Sequence, residues 1–250
     1  MQDLIKKLKK RDLRALSKAI SAAENDPIAA ESAFADLFAR IIGKSLVIGI
    51  TGAPGVGKST LIKNLIKKAV AENLKIAVLA VDPSSPFSGG AFLGDRLRIN
   101  IPDFDPQKIF IRSLATRGNL GGLSPGAAIS LNLLKYYRYD IILIETAGVG
   151  QSEVEIMNFA DCVAVLLVAG LGDEIQAMKS GIMEIADVFV VNKCNVPGTD
   201  KLVNEIHRTI INSPRYDDDK ILKPEIILTD SISAEGVGKL WQFFKDCKKS

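Results

Sequence analysis

The chain has 250 residues, 47% of them hydrophobic, with 32 Lys and Arg against 29 Asp and Glu for a formal charge of +3, which suits one large α/β domain and is short for two. That charge is too small to imply nucleic acid or an anionic membrane as the main partner, and neither is expected. No apolar run reaches membrane-span length and the Met1-Gln2-Asp3-Leu4-Ile5-Lys6-Lys7 start lacks a signal-peptide core, so a cytoplasmic protein is expected.

Residues 4–23 place Leu4, Ile5, Leu8, Leu13, Leu16 and Ile20 on an approximate helical stripe beneath a basic face, the pattern of a helix packed on the domain. Asp26-Pro27 reads as an N-cap with proline at the first helical position, opening a second helix that carries Phe34, Leu37, Phe38 and Ile41 and stops at Gly43. Residues 1–43 are therefore expected to form an N-terminal helical extension ahead of a nucleotide-binding core at 44–250.

From Ser45 onward, apolar runs at 46–50, 75–81, 108–114, 140–145, 162–169, 188–191 and 225–229 alternate with helical patterns. Continuous apolar runs in that rhythm predict an α/β fold, a mainly parallel sheet covered by helices on both faces. Such sheets bind ligands at the carboxyl ends of their strands, so chemistry is sought just after each run. Cys162, Cys194 and Cys247 lack C-x-x-C spacing and the single histidine, His207, has no ligand neighbour; neither a disulfide framework nor a zinc site is indicated.

After the first run, Gly52-Ala53-Pro54-Gly55-Val56-Gly57-Lys58-Ser59 meets every fixed position of the phosphate-loop pattern G-x-x-x-x-G-K-[ST]. Thr60 continues into an amphipathic helix. Glycines let backbone N–H groups converge on phosphate oxygens, Lys58 is expected at the β- and γ-phosphates, and the Ser59 hydroxyl is expected on Mg²⁺. A turn that binds nothing has no need of Lys58-Ser59 at the helix start.

The fourth run ends in Glu145, with Gly148 three residues on. An acid closing a buried strand is often a helix cap, but behind a phosphate loop it is expected in the Mg²⁺ shell, with the Gly148 amide sensing the γ-phosphate and Gly150 and Gln151 in a switch. Asp82, at the end of the second run, is expected in the metal's outer shell, and Asp95 is expected to position the attacking water or the metal. Their bland readings are an Asx-turn and a helix-surface acid.

Asn192-Lys193-Cys194-Asn195 follows the sixth run and resembles the guanine-reading N-K-x-D motif with Asn in the last place, while Ser233-Ala234 fits the second guanine element. An aspartate there accepts from both guanine N1–H and the 2-amino group, whereas an amide offers one acceptor and one donor. Asn195 thus predicts weakened guanine selectivity, with XTP competing well and Asn195→Asp tightening GTP by roughly tenfold, unless a neighbour such as Asp200 supplies the missing carboxylate.

Together with Val81-Asp82-Pro83-Ser84-Ser85-Pro86, Gly94-Asp95-Arg96, Arg117-Gly118-Asn119-Leu120-Gly121-Gly122-Leu123-Ser124, Glu145-Thr146-Ala147-Gly148-Val149-Gly150-Gln151-Ser152-Glu153 and the run at 172–187, these phrases make nearly the whole chain resemble the MeaB/ArgK family of P-loop GTPases, in the signal-recognition-particle, MinD and BioD (SIMIBI) class. The resemblance implies a Mg²⁺-dependent GTPase chaperone. Its partner would be an adenosylcobalamin-dependent acyl-CoA mutase, typically methylmalonyl-CoA mutase, whose cofactor loading it gates and which it protects. Residues 172–187, with Asp173, Gln176 and Lys179, are expected to be a partner-sensing switch. Family members usually continue into a helical dimerisation arm where this chain ends at Ser250, so a monomer or weak homodimer is expected. The alternative is a kinase passing the γ-phosphate to a protein or small molecule. A nickel-inserting GTPase of the same class would need the Cys and His ligands that this sequence lacks.

Overall fold

A computed structural model describes residues 1–82, 105–115, 125–146, 155–171, 181–213 and 222–247. Its centre is a sheet of seven strands, β1 (Leu46–Thr51), β2 (Ile76–Asp82), β3 (Ile109–Ala115), β4 (Ile141–Thr146), β5 (Cys162–Leu167), β6 (Val188–Val191) and β7 (Glu225–Leu228), in the order β3-β2-β4-β1-β5-β6-β7. Every pairing in it is parallel. Each of the seven apolar runs forms a strand, with ends displaced by at most two residues.

The side-chain period of two explains why these runs are apolar throughout. Val47, Ala77, Leu79, Ile142, Ile144, Val163, Val165, Phe189 and Val191 enter one core, while the alternating Ile48, Ile50, Val78, Leu143, Ala164, Leu166, Val188 and Val190 enter the other. Two covering layers of helices are then required, because each face would otherwise leave a continuous apolar surface in water. Helices α4 (Lys58–Ala71) and α7 (Val237–Cys247) cover the second face through Leu61, Ile62, Leu65, Leu240, Trp241 and Phe244. Helices α5 (Pro125–Tyr136) and α6 (Thr199–Ile211) cover the first, with the N-terminal helices. The fold is the α/β architecture expected, a parallel sheet with helices on both faces.

The N-terminal stripe differs from the single helix expected over 4–23. It divides into α1 (Gln2–Lys9) and α2 (Leu13–Asn25), because Arg11 adopts φ 58° and Asp12 caps the new helix, its carboxylate accepting from Ala15 N at 2.8 Å. A residue in the left-handed region ends one helix and a capped donor begins the next. The third helix, α3 (Pro27–Phe38), starts as expected, with Asp26 accepting from Ala29 N at 3.0 Å. It ends at Phe38 instead of Gly43.

Leu8, Leu16, Ile20, Phe34 and Leu37 are fully buried in the same core as α5 and the sheet. At roughly 1.5–3 kcal/mol for each large apolar side chain removed from water, the N-terminal helices and the sheet stabilise one another. The crossing of α2 over α5 is close: a Cβ on Gly126 would lie 2.6 Å from the Ala23 carbonyl oxygen. Arg112 of β3 adds a charged tie, donating to Glu24 Oε2 at 3.0 Å and Ser21 Oγ at 2.8 Å.

Candidate nucleotide site

Strand β1 delivers the phosphate loop to the carboxyl edge of the sheet, and α4 leaves from it at Lys58. The loop's path demands glycine at two places. Gly52 has φ 139° and a Cβ there would collide with the Leu166 carbonyl; Gly57 has φ 99° and a Cβ there would collide with Asn192 Nδ2. An L side chain at either position would meet both strain and a fixed neighbour. The loop thereby packs directly on β5 and on the residue that follows β6.

Lys58 is 8% exposed, and its ammonium donates to the carbonyls of Gly52 at 2.6 Å and Ala53 at 3.1 Å. Its charge is thus held over the mouth of the loop it belongs to, at the N-terminus of α4, where the helix dipole also favours an anion. Ser59 Oγ donates to Glu145 Oε1 at 2.9 Å. That contact exists because β4 runs beside β1 with Glu145 level with Ile50. One residue further on, Thr146 Oγ1 donates to Thr51 Oγ1 at 2.9 Å and locks the two strand ends together. Asp82 ends β2 at the same edge, since Ala80 is level with Glu145 and Val81 with Thr146. Asp95, Gly148, Gly150, Gln151, Asp173, Gln176 and Lys179 lie outside the described residues.

Asn192, 1% exposed, spans the gap between phosphate loop and base loop. Its Nδ2 donates to Val56 O at 2.7 Å, and its Oδ1 accepts from Thr229 Oγ1 at 3.1 Å, Ser231 N at 3.0 Å and Ser231 Oγ at 2.8 Å. The ring closes through α4, where Asn64 Nδ2 donates to Ser231 O at 2.7 Å. Lys193, at φ 53°, donates from Nζ to Gly55 O at 3.2 Å. Of the residues expected at the base, Asn192 and Lys193 are therefore brought onto the phosphate loop. Ser233 and Ala234 stand further out, exposed on the turn after β7, and it is Ser231 that meets Asn192.

Thr229, Ser231 and Asn64 are participants that motif reading missed. Ser231 stands two residues before the Ser233-Ala234 dipeptide, and Thr229 and Ser231 alternate directly from the end of β7. Asn64 carries no motif at all, and its role appears only where α4 passes the base loop.

The family model described as methylmalonyl Co-A mutase-associated GTPase MeaB matches residues 16–250. The chain belongs to the MeaB family of GTPases. A Pyrococcus horikoshii relative named as a GTPase is 45% identical, covering 100% of this chain and 78% of that protein. The mouse protein named methylmalonic aciduria type A homolog, mitochondrial, is 36% identical over 82% of this chain, which spans 50% of the mouse protein. Among solved structures, an LAO/AO transport system kinase superposes with a TM-score of 0.74 at 27% identity, over 99% of this chain and 74% of that one. As a MeaB-family enzyme the chain binds guanine nucleotide and hydrolyses GTP.

Proposed function

We propose that this MeaB-family GTPase is a chaperone for an adenosylcobalamin-dependent acyl-CoA mutase, with methylmalonyl-CoA mutase the leading candidate, and that GTP hydrolysis gates cofactor loading and protects the loaded enzyme. The observation that carries the proposal is the family match across 16–250, a family described by its association with that mutase; the name of the mouse relative points the same way.

The chemistry asked of this chain is positioning and electrostatics rather than covalent catalysis. In our reading Lys58 exchanges the Gly52 and Ala53 carbonyls for β- and γ-phosphate oxygens, so its charge moves little. Ser59 and Glu145 are hard oxygen donors already in contact, a set that suits Mg²⁺. Bound there, Mg²⁺ would neutralise charge on the phosphates. Asp82 is assigned to the outer shell of that ion and Asp95 to orienting the attacking water. Gly148 is assigned to sensing the γ-phosphate through its amide, Gly150 and Gln151 to the switch that follows, and Asp173, Gln176 and Lys179 to reporting to the mutase.

The test is GTP hydrolysis by the full chain with and without methylmalonyl-CoA mutase from the same source, scored together with adenosylcobalamin transfer. Stimulated hydrolysis and nucleotide-dependent transfer are the expected results. Label from γ-phosphate appearing on a protein or small molecule instead of as free phosphate would replace this reading with that of a kinase.

A further inference from the structure

Guanine presents two donors on the edge that an N-K-x-D motif reads, N1–H and the 2-amino group, and both need acceptors. Asn195 brings one acceptor and one donor. Taken alone, its donor would confront one of guanine's. The structure gives that donor another destination: Asn195 Nδ2 lies 3.5 Å from Glu235 Oε2. Among the described residues the amide's acceptor, Oδ1, is met by the Cys194 thiol, at 3.9 Å, and keeps a lone pair for a ligand.

Glu235 comes from the other side of the base loop, and its root is held in place. Asp230 and Glu235 form an antiparallel bridge, Asp230 N donating to Glu235 O at 3.1 Å. Ala234 takes φ 64° just before it and Gly236 φ 70° just after, and a Cβ on Gly236 would collide with the Leu228 carbonyl. The neighbouring Asp230 carboxylate is committed to the turn itself, accepting from Ile232 N at 2.8 Å and Ser233 N at 3.4 Å. Glu235 is the carboxylate turned toward Asn195. Its charge is also felt beside that residue, where burial first and then Glu235 and Asp230 raise the Cys194 thiol above its usual range.

We propose that Asn195 and Glu235 read guanine as a pair, Asn195 Oδ1 accepting from N1–H, Asn195 Nδ2 donating to one Glu235 oxygen, and the other Glu235 oxygen accepting from the 2-amino group. Two residues thus restore the two acceptors that a single aspartate supplies, and Glu235, rather than Asp200, is the compensating carboxylate. The consequence reverses what Asn195 by itself implies. Xanthine would turn its C2 carbonyl toward a carboxylate and be rejected, so guanine selectivity is retained. This goes beyond the mutase reading and rests only on guanine-nucleotide binding.

The experiment is equilibrium competition of GDP, XDP, IDP and ADP against a fluorescent GDP on the full chain, for the parent, Glu235→Gln, Glu235→Ala, Asn195→Asp and the double variant Asn195→Asp/Glu235→Gln. Inosine lacks the 2-amino group and serves as the internal control. The parent should prefer GDP to XDP. Both Glu235 variants should bind GDP about tenfold to a hundredfold more weakly with IDP nearly unchanged, and Glu235→Gln should gain on XDP, because its amide donates to the C2 carbonyl. Asn195→Asp should gain less than about tenfold in the parent, where it sets two carboxylates side by side, and should rescue GDP when Glu235 is Gln. An unchanged GDP-to-IDP ratio in the Glu235 variants overturns the pairing, as does an equal loss of both nucleotides. Failure of the parent to bind any guanine nucleotide overturns the nucleotide assignment as well, so the two failures are told apart.

Discussion

Asn192 Nδ2 donates to the Val56 carbonyl at 2.7 Å, so the residue that opens the base motif is bonded to the middle of the phosphate loop. The proposed base and phosphate subsites are one hydrogen-bonded unit here, and a disturbance on one side should be read on the other. Asn64, which reaches the same unit from α4, is the position where that can be tested without touching either motif.

Asn64→Ala removes the donor to Ser231 O and leaves a part-buried carbonyl unsatisfied, at a cost of about 1–3 kcal/mol. GDP release, followed by stopped-flow fluorescence, should quicken by about tenfold, with a smaller effect on the Mg²⁺ dependence of hydrolysis. Parental release kinetics in a stably folded variant would show that α4 does not hold the base loop.

Lys58→Ala removes the charge over the phosphate cradle. With charge-assisted hydrogen bonds worth about 1.5–3 kcal/mol each, GTP binding or turnover should fall at least about a hundredfold. Hydrolysis at the parental rate would refute the site.

Ser59→Ala and Glu145→Gln each remove one member of the 2.9 Å pair and should raise the Mg²⁺ concentration for half-maximal GTP hydrolysis by about tenfold or more. On the proposal that both hold one ion, the double variant should lose less than the product of the singles. Independent, multiplicative losses would separate the two residues.

Tyr139 sits within the core against Phe110, ring centroids 6.1 Å apart, and burial pushes its phenol up to about 12 from the usual 10. The raised value means that the folded state resists deprotonation. Its contribution is complete below pH 10 and is lost as pH rises toward 12. Chemical denaturation between those limits should show stability falling with pH, and Tyr139→Phe should flatten that fall. An unaltered slope would assign alkaline unfolding to other groups, of which the buried Tyr137 phenol, also raised, is the first to examine.

The seven strands and the phosphate loop are legible along the chain because their causes are local. Strands buried on both faces need uninterrupted apolar runs, and a loop that wraps phosphate needs glycines and Lys58-Ser59 within a few positions of one another. The break between α1 and α2 is also written locally, in Asp12 as a cap, but a nearly continuous apolar stripe hides it. Ser59 and Glu145, 86 residues apart, could be assigned to the same ion by analogy, yet only the pairing of β1 with β4 puts them in contact. Base recognition depended most on the folded chain. Asn192 and Ser231 are separated by 39 residues, Asn195 and Glu235 by 40, and Asn64 and Ser231 by 167. Such partners meet because the sheet order sets β6 beside β7 and because α4 shares one face of the sheet with α7, the helix that follows β7, and a hydrogen bond at that separation leaves no periodicity in the sequence from which to read it.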